Sequence, residues 1–243
     1  MDNDLLFFLG LVALVLIAFA VAPLRKRSRP HWLYSRWPKE QLLTIAKYFQ
    51  FYGRLTPQQQ RRFEHLVAQF VSEKEWQGVG VEVKEEMKVM IGASAAQLMF
   101  GLPDLTLMAF DRVLVYASAF LHHRTGRMHQ GEVNPGIGII RISWEHYLKG
   151  YARPFDGANV ALHELGHALW FEDLIPNAED DFFDRAALAR WKALSAEEVQ
   201  RIREGKGRFF NNYAGNNTEE FFAVAVEYFF EQPVPFSEEQ PEL

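Results

Sequence analysis

The run Ala161-Leu162-His163-Glu164-Leu165-Gly166-His167-Ala168-Leu169-Trp170 carries a His-Glu-x-x-His pattern inside an apolar stretch of helical length. Residues i and i+4 of a helix sit one above the other, so His163 and His167 can offer two imidazole nitrogens to a single metal ion. Glu164 is turned about 100° from His163, which holds a carboxylate beside such an ion without ligating it. A zinc ion there acidifies a bound water, and Glu164 stands in place to take its proton, which is the chemistry of metal-assisted hydrolysis. The competing reading is an amphipathic helix whose histidines are satisfied inside a core. A third ligand decides between them.

That ligand is expected on a second apolar helix, from about Asn217 to Phe230, opened by the capping box Asn216-x-x-Glu219. Glu220, Ala223, Val224 and Glu227 share one of its faces. Burying an unpaired carboxylate is costly, so two acids flanking Ala and Val call for a cation. Glu220 is the expected third ligand. Glu227, two turns on, would orient one of the histidines. Tyr213, in the loop entering this helix, could donate to the oxyanion formed when a carbonyl is attacked. An exposed acidic face is the plainer alternative.

Other elements must position these groups. Apolar residues recur at helical spacing over Lys39 to Phe51 and over Pro57 to Val71, the second begun by Thr56-Pro57. A third helix covers Lys84 to Phe100, its methionines and Ile91 serving as core. Arg112 to Ala117 and Ile137 to Ser143 read as strands, with Asn134-Pro135-Gly136 as the turn leading into the second. If the edge of that second strand is free, an extended peptide could pair with it across the metal. Phe120 to Glu132, with His122, His123 and His129, reads as a solvated loop. Asp156 is expected to cap the metal helix near Gly157, and Asn159 lies on the same face as His163. The acids from Glu172 to Asp184 read as a solvated face, and Ser195-x-x-Glu198 as the box opening a short helix to about Arg203.

The composition, 49% hydrophobic and 23% charged, is that of a folded protein rather than a disordered one. A net charge of −5 gives no reason to expect direct binding of nucleic acid. The chain has no cysteine, which excludes disulfides and thiolate ligands and suits a reducing compartment. Leu5 to Leu24 is an uncharged run long enough to span a bilayer. Asp2 and Asp4 precede it and Arg25, Lys26, Arg27 and Arg29 follow, the reverse of a signal peptide. The positive-inside rule then puts the amino terminus outside and the body in the cytoplasm, as a single-pass protein of a bacterial inner membrane. The expected layout is an anchor and basic flank (1–29), a linker (30–38), a zinc peptidase domain (39–235) and an acidic tail (236–243).

His163-Glu164-Leu165-Gly166-His167, Tyr213, Glu220-Phe221-Phe222-Ala223-Val224 and Glu227-Tyr228-Phe229-Phe230 together resemble the Mlc titration factor A family of zinc peptidases. The spacing is also similar to that of the anthrax lethal factor catalytic domain. Gly131-Glu132, Ser143-Trp144 and Asn159 strengthen the match. The resemblance implies an α+β fold: a mostly helical, zincin-like metallopeptidase domain with a small sheet, here preceded by one N-terminal transmembrane helix. It implies one zinc ion bound by His163, His167 and Glu220, with Glu164 as general base and Tyr213 assisting the transition state. The implied activity is aminopeptidase-like cleavage of peptide or protein substrates. The family's founding member also binds a sugar-responsive transcriptional repressor, so a regulatory protein partner is a further expectation. The rival function is a binding module that sequesters such a regulator without needing catalysis. Relatives often continue past the Phe-Phe helix with another helical segment, where this sequence has a Pro- and Glu-rich end.

Overall fold

In the computed structural model, which describes residues 38–102, 107–122, 126–174 and 184–243, the chain enters through helix α1 (Lys39–Tyr48). Phe49 leaves the helical region (φ −111°, ψ 94°), so the expected single helix is divided and a short α2 (Gln50–Gly53) follows. Helix α3 (Pro57–Glu73) begins as its sequence requires. The Thr56 hydroxyl accepts from Gln59 N–H, Gln59 returns the bond to Thr56 N–H, and Pro57 fills the first turn. Strand β1 (Glu75–Val79) and helix α4 (Glu85–Met99) come next, α4 with Met87, Met90, Ile91 and Met99 buried as expected.

Strand β2 (Arg112–Tyr116) leads to β3 (Phe120–His122), β4 (Arg127–His129), β5 (Gly131–Asn134) and β6 (Ile139–Ser143). The main sheet has the order β1-β2-β6-β5. Its first three strands are parallel, and β5 is antiparallel to β6 with Gly131 opposite Ile142 and Asn134 opposite Ile139. Two expectations are corrected here. The 120–132 stretch is not a solvated loop: β3 and β4 form a hairpin whose turn uses Gly126 at φ +65°. Nor is the β6 edge free. It is paired on both sides, by β2 and by β5, so β5 is the edge strand beside the site.

Helix α5 (Trp144–Ala152) is capped by Ser143, and helix α6 (Val160–Leu174) carries the histidines. Apolar on all sides, α6 is a buried helix. Its Leu162, Leu165 and Leu169 join Ile91, Phe110, Val113, Val115, Ile140 and Ile142 in the main core, between α4 and the sheet. Helix α7 (Arg185–Arg203) is one continuous helix capped by Asp184, so the expected box at Ser195 does not open it. Ser195 lies buried in mid-helix, its hydroxyl donating to the Lys192 carbonyl. Helix α8 (Thr218–Glu231) packs along α6 and against α7, where Phe210, Phe221, Val224 and Tyr228 form a second core with Val199 and Ile202. A last helix, α9 (Pro233–Glu239), sets Phe236 against that cluster.

The protein is thus mostly helical with a small mixed sheet, an α+β arrangement. Among the described residues no helix is long and apolar enough to cross a membrane. The Leu5–Leu24 run and the 30–37 part of the linker lie outside the described residues.

Candidate metal centre

Helix α6 starts later than Asp156 suggested. Gly157 takes φ +72°, which no helical residue adopts, and Asn159 is the cap. Its Oδ1 accepts from the N–H groups of Ala161 (3.1 Å) and Leu162 (3.2 Å). Asn159 is itself held from α8: its backbone N–H donates to Glu227 Oε1 at 2.6 Å, and its side-chain amide to Glu231 Oε1 at 3.1 Å. Glu231 Oε2 also accepts from Gly157 and Ala158. The start of the histidine helix is therefore clamped to two carboxylates of its neighbour.

The two helices touch closely. A Cβ on Gly166 would stand 3.3 Å from Ala223 Cα, so only glycine lets the backbones approach this far without displacement. The entry to α8 is set one residue later than expected. Asn216 ends a turn of 3-10 helix (Asn212–Gly215), and Asn217, in extended conformation, is the cap. Its Oδ1 accepts from Glu220 N–H at 2.8 Å, which pins the backbone of the expected third ligand while leaving its side chain to face α6.

That side chain meets both histidines. Glu220 Oε2 lies 3.2 Å from His163 Nε2 and 3.2 Å from His167 Nε2, and the two nitrogens are 3.2 Å apart. In a tetrahedral zinc site with ligand bonds of about 2.05 Å, neighbouring donors stand about 3.3 Å apart, so this triangle fits one such ion. Two imidazoles and one carboxylate, leaving a fourth position open, suit zinc better than an all-oxygen cation. Among the described residues these three are the one grouping of its kind.

The surroundings prepare the donors. Glu227 Oε2 is 3.0 Å from His163 Nδ1, so the carboxylate accepts from Nδ1–H and leaves Nε2 for the metal, as expected for this residue. Burial acts to lower the His163 pKa, but Glu220 and Glu227 outweigh it and raise the group to about 10. Glu220, partly buried, is nevertheless held far below the usual carboxylate range by the two histidines.

Glu164 is buried beside the triangle, and burial first of all pushes its pKa up to about 7, against the opposing pull of His163 and His167. Its side chain crosses the backbone of Gly131 on β5. A Cβ there would come within 2.4 Å of Glu164 Cγ and Oε1. Tyr213 sits in the 3-10 turn, 52% exposed, with its ring 5.8 Å from that of His163. Partial burial and then the Glu220 charge push its pKa up to about 12, so the phenol keeps its proton at neutral pH.

All five site residues named from sequence, His163, Glu164, His167, Tyr213 and Glu220, are therefore brought together, along with Glu227. One contributor was missed, Glu231, although it has a readable signal, since 220, 227 and 231 share one face of α8 at i, i+7 and i+11. Gly131 enters the sequence reading only through the family resemblance, and its role, leaving room for Glu164, shows only in the folded approach of α6. The acids after Trp170 are not uniformly solvated: Glu172 is buried and accepts from Ala109 N–H.

Known proteins place this arrangement. An uncharacterized protein of Synechocystis is 27% identical over 229 residues, covering 84% of this chain and 82% of its own. Mlc titration factor A of Pectobacterium atrosepticum is 26% identical, covering 78% and 77%. Its namesake from Klebsiella pneumoniae is also 26% identical, covering 86% and 83%. Residues 24–243 match the glucose-regulated metallo-peptidase M90 family over most of the chain, and the protein belongs to that family.

Proposed function

We propose that the protein is a zincin-like zinc metallopeptidase that hydrolyses peptide bonds and is tethered to a bacterial inner membrane by Leu5–Leu24, with its catalytic body in the cytoplasm. The observation that carries the activity is the 3.2 Å triangle of His163, His167 and Glu220 with the buried Glu164 carboxylate beside it. The tether rests on the uncharged run and on the basic residues that follow it.

His163, His167 and Glu220 would hold the ion through Nε2, Nε2 and Oε2. Bound there, zinc supplies Lewis acidity that activates water and polarises a carbonyl. Glu164 takes the proton of the attacking water on its carboxylate and returns it to the leaving amine. Burial, which favours the protonated carboxyl, helps Glu164 to hold the proton between the two transfers. Tyr213 donates its hydroxyl proton toward the oxyanion from the cleft rim. Glu227 keeps His163 in the tautomer that presents Nε2. Among the described residues β5 is the end strand of the sheet, and an extended substrate can lie along its outer edge.

Full-length protein assayed in detergent, on short peptides with free and blocked amino termini, tests this reading. Glu164→Gln should lower kcat by about 10²- to 10⁴-fold, and Tyr213→Phe by about 10²-fold, both with zinc retained. Preference for free amino termini would support the aminopeptidase-like form. Unchanged hydrolysis in Glu164→Gln would remove the general base.

A second reading is favoured by the names of two relatives, which concern titration of Mlc. In it the domain sequesters a regulatory protein and turnover is incidental. Capture of Mlc with equal affinity by wild type and Glu164→Gln, alongside no peptide cleavage by wild type, would support it.

A further inference from the structure

The cleft that holds His163 and Tyr213 has a volume of about 630 Å³ and is also walled by Arg127, His129, His146, Lys149, Arg153 and Asp156. His146 and Lys149 stand one turn apart on helix α5, and Arg153, the residue that ends it, lines the same cleft, so the helix and its carboxyl end present a group of basic side chains to it. Gly150 brings that group close. A Cβ there would lie 3.2 Å from Asn159 Cα, and Asn159 is one helical turn ahead of His163. Of the acids in this wall, Glu227 is engaged by His163 and Asn159, and Asp156 accepts from Ala158 N–H. Lys149 pairs with Glu145 at 2.6 Å, but both are on the surface, where such a pair is weak and easily exchanged.

The strand direction orients a substrate toward this group. Gly131, at the amino-terminal end of β5, lies against Glu164, and Arg127, Met128, His129 and Gln130 precede it along the cleft wall. A peptide added antiparallel to β5 crosses Glu164 near Gly131 and then continues, amino to carboxyl, into the basic part of the cleft. An extended chain advances about 3.3 Å per residue, so the group is met roughly one to three residues past the cleaved bond.

We propose that this protein selects peptides bearing a carboxylate within three residues on the carboxyl-terminal side of the scissile bond, recognised by Arg153 and Lys149. This rests on the peptidase reading and specifies its substrate. The carboxylate is supplied either by an Asp or Glu side chain or by the free carboxyl terminus of a short peptide. Recognition by exposed cations acts mainly on encounter and binding, so it belongs in KM rather than kcat.

The test uses full-length protein in detergent and peptides differing at one position. Asp, Asn or Lys is placed at the second residue past the cleaved bond with an amidated terminus, and a neutral peptide is compared with free and amidated termini. The Asp peptide should show a KM about tenfold below that of the Lys peptide, with similar kcat, and 0.5 M NaCl should flatten the difference. Arg153→Ala should raise KM for the Asp peptide about fivefold, Arg153→Lys should largely retain it, and Arg153→Glu should invert the preference. Circular dichroism checks the fold of each variant. The same peptides, fluorescently labelled, are titrated into Glu164→Gln and followed by anisotropy. If nothing is cleaved, the peptidase reading fails while binding still reports the charge preference. Equal affinity for Asp and Lys peptides together with equal affinity for free and amidated termini, or a preference that survives Arg153→Glu, overturns the proposal. A response to the free terminus but not to Asp identifies the terminal carboxylate as the group selected.

Discussion

Glu164 depends on Gly131 as much as on its own helix, because its side chain lies over a backbone that has no room for a methyl group. Gly131→Ala is therefore expected to displace the carboxylate by about 1 Å and to lower kcat about 10²-fold, with zinc content unchanged. Steady-state kinetics and metal analysis of one preparation check this. His163 gives a second, proton-based expectation. In the metal-free protein its pKa is raised to about 10, so its favourable contribution to stability is complete below about 6.5, the unfolded value, and is lost as pH rises through about 10. At neutral pH the ring must give up a proton for Nε2 to ligate. Calorimetric titration with zinc in buffers of different ionisation enthalpy should show about one proton released on this account. No dependence on the buffer would contradict it. The pairing of His163, His167 and Glu220 could be read from sequence because both helices carry their polar groups at turn spacing. The part played by Gly131 could not, since it arises from two segments meeting in space.

Among the elements, the helix starts show what local sequence conveys and where tertiary contacts override it. Thr56-Pro57 begins α3 as expected, because all of its cap bonds are local. Helix α6 starts at Val160, after Asn159, because Glu227 and Glu231 hold the preceding turn from α8 and Gly157 adopts a left-handed conformation. No short-range signal reports such a bond across more than sixty residues. The same holds for the sheet. Both expected strands are present, but their neighbours are set by strand order, which places β5 and not β6 at the edge beside the site. Asn159→Ala removes the α6 cap and the bond to Glu231 together. It should destabilise the protein by about 1–2 kcal/mol, read as a lowered urea midpoint. An unchanged midpoint would show that α6 is held by packing alone.

At the scale of the whole molecule, a candidate metal centre between two packed helices adjoins a sheet edge and a cleft with basic residues in its wall. Under the proposed function, the uncharged Leu5–Leu24 run would tether this body to a membrane. Family membership, site geometry and the donor set agree on a metallopeptidase, and the reading of the site requires that the three donors share an ion. The most direct measurement is the zinc-to-protein ratio of full-length wild type, Glu164→Gln, His163→Ala and Glu220→Ala after identical purification and dialysis. Wild type and Glu164→Gln should retain about one ion per chain, and the two ligand variants should retain little. Full occupancy in Glu220→Ala would contradict the account.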